Sequence, residues 1–399
     1  MFTIFNKDKQ RVPIKVWLKT EDQLEEQCLQ QALNLSNLPF VHKWVALMPD
    51  THTGYGMPIG GVIGTIDTII PNAVGVDIGC GIAFVDTNIK VNSVPRNVYE
   101  KIVTHIMNRI PTGFEHHKKR QRCDILDKAS RDSAFRKNKE LYEEIDRGYM
   151  QLGTLGGGNH FIELQEDDKG MLGVMVHSGS RNFGFKVANH FNSVAKRLND
   201  KWGNIIPQNY DLAYLPTDSR EGKEYIIWMN LALDFARENR TQMMNVVKDV
   251  LERNIKGIEF STEINAHHNY AAYEKHYGKD VWVHRKGAIY AGKDALGIIP
   301  GAMGSYSYIV KGLGNPESFE SCSHGAGREL SRRQAKRDYP VKQVMADLKR
   351  QGVILGKRRL RDVAEEYRKA YKDIESVMED QKDLAEPIKR LKTVAVIKG

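Results

Sequence analysis

Apolar positions along this chain fall into two rhythms, a helical one in its middle and a strand-and-glycine one elsewhere. Between Glu21 and Leu35, the residues Leu24, Cys28, Ala32 and Leu35 share one face of a predicted helix. Val41 opens an apolar run that reads as a strand, breaks at Pro49-Asp50, and passes into a glycine-rich loop with His52 and Tyr55. Val62 to Ile70 reads as a second strand, leading through Pro71 into Asn72–Gly81. There Ala73-Val74-Gly75-Val76 reads as a buried strand running into a tight loop that carries Asp77 and Cys80. Arg96 to Tyr149 is mostly helical, with a basic interruption from His116 to Arg122. Gln151 to Glu163 is a second glycine-rich element, and Val174 to Arg181 a strand entering a loop. Glu224 to Arg253 is periodic and free of glycine and proline, which predicts a long helix packed beside the core rather than entering it. Glu263 to Tyr270 carries paired histidines, Gly297 to Gly304 reads as a loop, and Ser321 to Arg333 places a histidine before Gly-Ala-Gly. From Val341 the tail reads as helical and ends in Lys398-Gly399.

Composition narrows the class. At 41% hydrophobic and 27% charged residues, the 399-residue chain has the balance of a soluble globular protein. No apolar run approaches the ~20 residues that span a bilayer, and charge enters too early at the N-terminus for a secretory signal. A cytoplasmic protein without membrane partners is the expectation. The cysteines Cys28, Cys80, Cys123 and Cys322 are scattered and form no C-x-x-C pair, which predicts reduced thiols. The net charge of +9 suits a polyanionic partner such as RNA or DNA. With no repeat, linker or composition break, residues 1–399 read as one domain whose dispersed glycine-rich elements converge on one site.

Asp77, Cys80, His160, His177 and His268 each lie in or just after an apolar or glycine-rich stretch. One carboxylate, one thiolate and three imidazoles can hold two divalent ions, with the thiolate bridging. That donor set is compatible with zinc, manganese or cobalt, and softness alone favours zinc. The alternative for each residue singly is a structural role. Gly153-Thr154-Leu155-Gly156-Gly157-Gly158 and His324-Gly325-Ala326-Gly327 expose backbone N–H groups that suit phosphate. An imidazole followed only by small residues, as at His324, is open to act as a nucleophile toward phosphorus; the alternative is a structural hydrogen bond.

Taken together, MPDTHTGYG, VGVDIGCG, GTLGGGNHFIE, HSGSR, EINAHHNY, RKGA, PGAMG, SCSHGAGR and the terminal IKG resemble the RtcB-type RNA-splicing ligases over essentially the full length, in the short bacterial form. The resemblance implies an α+β fold, one large domain with central β-sheets flanked by helices around a dinuclear metal site. It also implies GTP- and manganese-dependent joining of an RNA 2′,3′-cyclic phosphate or 3′-phosphate end to a 5′-hydroxyl end. By motif, two manganese ions fall to Asp77, Cys80, His160, His177 and His268, and covalent GMP to His324. Guanylate contacts fall to Asn159, His160, Phe161, Ile162, Glu163, His268, Asn269, Pro300, Gly301, Ala302, Met303, Ser307, His324, Gly325, Ala326, Gly327, Tyr371 and Lys398. One position departs: the family usually reads P-G-S-M-G, and Ala302 here lacks the hydroxyl, a loss worth about 0.5–1.5 kcal/mol of hydrogen bonding. Two basic runs, Lys118, Lys119, Arg120 and Arg122, and Lys357, Arg358 and Arg359, read either as contacts to RNA phosphates or as solvated surface. The rival readings are a dinuclear metallophosphatase or cyclic phosphodiesterase, which has no need of His324 and Lys398, and a non-enzymatic RNA-binding protein, which leaves the Asp/Cys/His set without a purpose.

Overall fold

Two mixed sheets and a layer of helices build the protein, seen here in a computed structural model that describes residues 1–203 and 205–399. The architecture is α+β, as expected. The smaller sheet orders its strands Phe2–Ile4, Ile14–Val16, Val41–Tyr55, Met57–Thr65, Lys279–Lys286 and Asn269–His276. The larger runs Ile264–His267, Gly81–Lys90, Met171–Ser178, Phe161–Asp167, Ala385–Lys398, Ser307–Gly312 and Leu296–Ile299, with Ile354–Gly356 added in parallel onto Ala385–Lys398.

Period-two alternation gives the larger sheet two buried faces. Ala83, Val85, Ile162, Leu164, Val174 and Val176 pack against Ile102 and Ile106 of helix Arg96–Arg109 and against Met243 and Val247 of helix Arg220–Asn254. On the other face, Ile82, Phe84, Phe161, Met175 and Val396 pack against Val344, Leu348 and Val363. Each such side chain fully removed from water contributes about 1.5–3 kcal/mol, so the strand ends that carry the site stand on a firm scaffold.

Six local expectations change. Gly297 to Gly304 is not a loop throughout: its first residues belong to strand Leu296–Ile299, paired with Ser307–Gly312. Ala73-Val74-Gly75-Val76 is not a strand: Pro71–Val74 is a helical turn in which Pro71 supplies the fixed φ of a first helical residue, and Gly75 at φ 96 ends the turn. The strand begins only at Gly81, after the glycines. Val41–Tyr55 continues through Pro49, because Pro49 lies where the pairing shifts register between Leu47 and His52 and no ladder N–H is required. After Gly179-Ser180 the chain enters a helix, Arg181–Lys201, rather than an extended loop. The tail is not helical throughout. Its β-branched end, in Ala385–Lys398, is an interior strand of the larger sheet, paired with Phe161–Asp167 and Ser307–Gly312. Finally, helix Arg220–Asn254 does enter the site's foundation, through Asn239 and Arg240. Among the described residues no helix is long and apolar enough to cross a membrane.

Candidate active site

Strand register assembles the site at one end of the larger sheet. Gly81 pairs with both His267 and Ser178, and Phe161 pairs with both His177 and Lys398. The flanking residues Cys80, His160 and His268 therefore meet His177 and Lys398 at that edge. Asp77 joins them through a tight turn in which the Cys80 N–H donates to the Asp77 carbonyl at 3.0 Å. The turn is pinned to the next loop: His268 N–H donates to the Cys80 carbonyl, and Gly79 N–H to the Asn269 carbonyl, each at 2.8 Å. Gly79 is required there. Its φ is +75, and an added Cβ would lie 2.9 Å from Ala236 of the long helix.

Two donor triads result, Asp77–Cys80–His160 and Cys80–His177–His268, each with its ligand atoms within 4.8 Å of one another. Cys80 belongs to both. His160 Nε2 lies 3.1 Å from Asp77 Oδ2 and 3.3 Å from Cys80 Sγ, while its Nδ1–H donates to the Leu155 carbonyl at 3.0 Å. That bond turns the Nε2 lone pair toward the thiol, the usual device for orienting an imidazole ligand. His177 and His268 each bury an Nδ1 without a hydrogen-bond partner. Burial, then the neighbouring histidines, hold both rings well below the ordinary imidazole range, so they are neutral and able to donate lone pairs. Burial pushes the Asp77 carboxyl up, but His160 and Arg181 more than offset this and leave it ionised. Burial first, and Asp77 second, push the Cys80 thiol up; a coordinated cation reverses that balance, because a ligating thiol is deprotonated outright. The donor set fits a pair of divalent ions sharing a thiolate.

Beneath the triads, Arg240 donates to the carbonyls of Gly79 and Ser178, both at 2.8 Å, and Asn239 donates to the Gly179 carbonyl at 3.0 Å. Both side chains are fully buried. Sequence reasoning missed them because a polar residue inside a helical period looks like an exposed face.

Beside the triads opens a cleft of about 320 Å³. Asn159, Phe161, Glu163, Asn269, Pro300, Gly301, Ala302, Met303, Tyr371 and Lys398 line it, with His324, Gly325, Ala326 and Gly327 along one wall. Ile162 points the other way, into the opposite core, as alternation requires. Ser307 does not reach the cleft lining; its Oγ accepts from the Gly301 N–H at 3.1 Å and braces that loop. Burial lifts Glu163 to about 7, against the Gln165 hydrogen bond and the Lys398 charge. Burial lowers Lys398, which lies 3.6 Å from Glu366. Lys286, from the RKGA motif but given no role in the sequence analysis, also lines the cleft. Its ammonium donates to the carbonyls of Tyr55 and Asn72, and burial brings it down to about 7.

Sequence reasoning also missed Asp50. Its Oδ2 accepts from His324 Nδ1–H at 2.7 Å and from the backbone N–H groups of His324 and Gly325 at 3.1 and 3.3 Å. Burial raises this carboxyl, yet the charge and hydrogen bond of His324 overcome it and keep Asp50 ionised. With Nδ1–H so engaged, Nε2 is the ring nitrogen left free toward the cleft. Gly327, at φ +75, lets its loop lie against the Asp50 carbonyl, which an added Cβ would strike. Asp50 stands in the MPDTHTGYG motif, but nothing local separates it from a turn residue.

The family model described as tRNA-splicing ligase RtcB matches residues 31–399. The chain belongs to the RtcB family. It is similar to the RNA-splicing ligase RtcB1 of Escherichia coli strain ATCC 25922, at 38% identity over 98% of both chains. Identity to the RNA-splicing ligase RtcB of Escherichia coli K12 is 37%, again over 98% of both. The tRNA-splicing ligase RtcB of Thermococcus kodakarensis is 33% identical over 98% of this chain and 95% of its own length. Membership in the RtcB family makes the protein an RNA ligase, and the convergent donor triads agree with a metal-dependent one.

Proposed function

We propose that this chain, acting in the cytoplasm as a single domain over residues 1–399, joins RNA 2′,3′-cyclic phosphate or 3′-phosphate ends to 5′-hydroxyl ends, consuming GTP and requiring two manganese ions. The observation that carries the reading is one cleft with paired donor triads sharing Cys80 on one side and His324, oriented by Asp50, on the other. A phosphatase has no use for that His324–Asp50 pair.

Asp77, Cys80 and His160 would hold one ion, and Cys80, His177 and His268 the other. Bound manganese neutralises phosphate charge and promotes deprotonation of a hydroxyl nucleophile. Water opens a cyclic phosphate to the 3′-phosphate. The Nε2 of His324 attacks the α-phosphorus of GTP and pyrophosphate leaves. Asp50 fixes the ring tautomer and stabilises the positive charge that develops on the imidazole. The RNA 3′-phosphate then takes GMP from His324, and the 5′-hydroxyl attacks the activated phosphorus, releasing GMP. Glu163, buried at the floor of the cleft, is an acceptor suited to the N–H edge of guanine, and Lys398 and the Gly325–Gly327 loop suit the phosphate. The test is joining of such RNA ends in the presence of manganese and α-labelled GTP, with the label trapped on protein before RNA is added. Joining without GTP, or labelling from ATP alone, overturns the reading.

Ala302 lines the cleft without a hydroxyl. Ala302→Ser is expected to tighten GTP binding by roughly twofold to tenfold, the equivalent of one hydrogen bond of ~0.5–1.5 kcal/mol. Calorimetric titration with GTP checks this, and an unchanged or weaker affinity refutes it.

One basic run is tied to the segment that leads into the other. Arg358 pairs with Glu115 at 3.2 Å, and Lys357 donates to the carbonyl of the C-terminal Gly399. Arg120 stacks over the Tyr149 ring and pairs with Asp146 at 3.1 Å. Lys118 and Lys119 are exposed and have no carboxylate partner among the described residues. Replacing either run with alanine is expected to weaken RNA binding and flatten its salt dependence, by about one unit of slope for each backbone phosphate no longer neutralised. Transfer of GMP to the protein is spared, since it uses no RNA. Unchanged salt slopes for both sets return these residues to ordinary surface.

A further inference from the structure

Phe114 is 102% exposed, more than any other large hydrophobic side chain among the described residues. Isolated exposed apolar residues are common, but the tether of this one is not. Its neighbour Gly113 donates an N–H to the Gly156 carbonyl at 3.0 Å and accepts from the Arg181 guanidinium at 2.6 Å. His117 N–H donates to the Met150 carbonyl at 2.9 Å on the other side of the ring-bearing tip. The loop is therefore fastened to Gly156, two residues before Gly158 and the cleft residue Asn159, and it lies against the C-terminal Gly399 beside Lys398. Arg181 itself, the first residue of its helix, adopts the left-handed region, φ 58.

The stretch that carries the ring is cationic. From Thr112 to Arg122 the only carboxylate is Glu115, and Arg358 neutralises it. Lys118, Lys119 and Arg122 follow, and Arg332 packs over Gly158 on the cleft side. A hydrocarbon ring held in water among cations, on a loop that borders the catalytic cleft, has the make-up of a platform on which an unpaired base stacks while lysines hold the backbone. A protein partner would favour an apolar patch around Phe114, and the loop offers none.

We propose that Phe114 stacks against a nucleobase of single-stranded RNA close to the end being joined, and so positions that end at the cleft. This rests on the reading of the chain as an RNA ligase.

The test measures affinity for a dye-labelled, 3′-phosphorylated single-stranded RNA, without GTP, for Phe114→Ala, Phe114→Leu and Phe114→Trp. Alanine and leucine are expected to weaken binding about fivefold to a hundredfold, and tryptophan to stay within about twofold of the parent. The salt slope stays unchanged in all three, because an uncharged ring neutralises no phosphate and releases no counterion. An abasic site walked along the RNA should weaken binding to the parent at one position, and at that position leave Phe114→Ala unaffected. GMP transfer from GTP to each variant reports that it is folded. Parent-like affinity of Phe114→Ala, or of Phe114→Leu, overturns the stacking role. If instead the parent protein takes no label from GTP, the ligase reading fails, and the affinity comparison still decides the stacking.

Discussion

His324→Ala loses the transfer of GMP from α-labelled GTP to the protein, by at least about a thousandfold, as expected when a covalent nucleophile is removed, while its metal content stays at the parent value. The two halves of this expectation have separate physical grounds. Among the described residues no other imidazole at the cleft has its Nδ1–H held by a buried carboxylate: His160 turns its Nε2 to Asp77 and Cys80, His177 lies 3.4 Å from the same sulfur, and His52 Nδ1 is held by the Asp50 backbone carbonyl. The triads, in contrast, draw on Asp77, Cys80, His160, His177 and His268 and do not include His324. Nor does the wall collapse, because Asp50 still accepts from the N–H groups of residue 324 and of Gly325. Intact-mass measurement after incubation with GTP, beside metal analysis of the same sample, checks both halves. A mutant that labels fully removes His324 from the nucleophile's role, and one that loses its metals shows the two halves of the cleft to be inseparable.

Cys80→Ala loses ligation and at least one metal equivalent. Its sulfur is the only donor common to both triads, so its removal leaves each with two donors instead of three. The half-buried Asp77 carboxylate is then left with less compensating charge than the holoprotein provides, and His177 and His268 keep orphaned nitrogens. Because binding to the folded state stabilises it by mass action, chelation lowers the melting temperature of the parent protein, whereas the mutant responds little. Cys123→Ala serves as a thiol control: Cys123 is buried in a helical core away from the cleft. Metal analysis showing two ions retained in Cys80→Ala refutes the shared thiolate.

The motifs made the chemistry legible where the geometry is local. The Asp77-to-Cys80 turn closes within four residues, so the spacing alone directs a carboxylate and a thiol to one side. The glycines at 79 and 327 advertise positive φ and close approach, and both occur where the backbone demands it. Helices were legible where the period was long and unbroken, as in Arg220–Asn254, and illegible where the apolar run was short. Four residues from Pro71 to Val74 fit a strand or a helical turn equally well, and only the flanking geometry separates them.

What the sequence by itself determined is the inventory: donors of mixed softness, an open histidine among small residues, glycine-rich loops, and cationic runs, all within an α+β pattern. What the tertiary structure alone decided is which of these meet. His160, His177 and His268 reach Cys80 because three strand pairs share one register at one sheet end. Asp50 orients His324 across 274 positions of chain. Arg240 supports the metal loop from within a long helix, and Lys398 arrives because the C-terminal strand inserts into the interior of a sheet. The reason is physical. Local propensity acts over a few residues, whereas strand order and register are set by burying two apolar faces at once, and a slip of one residue would turn every ligand to the opposite face.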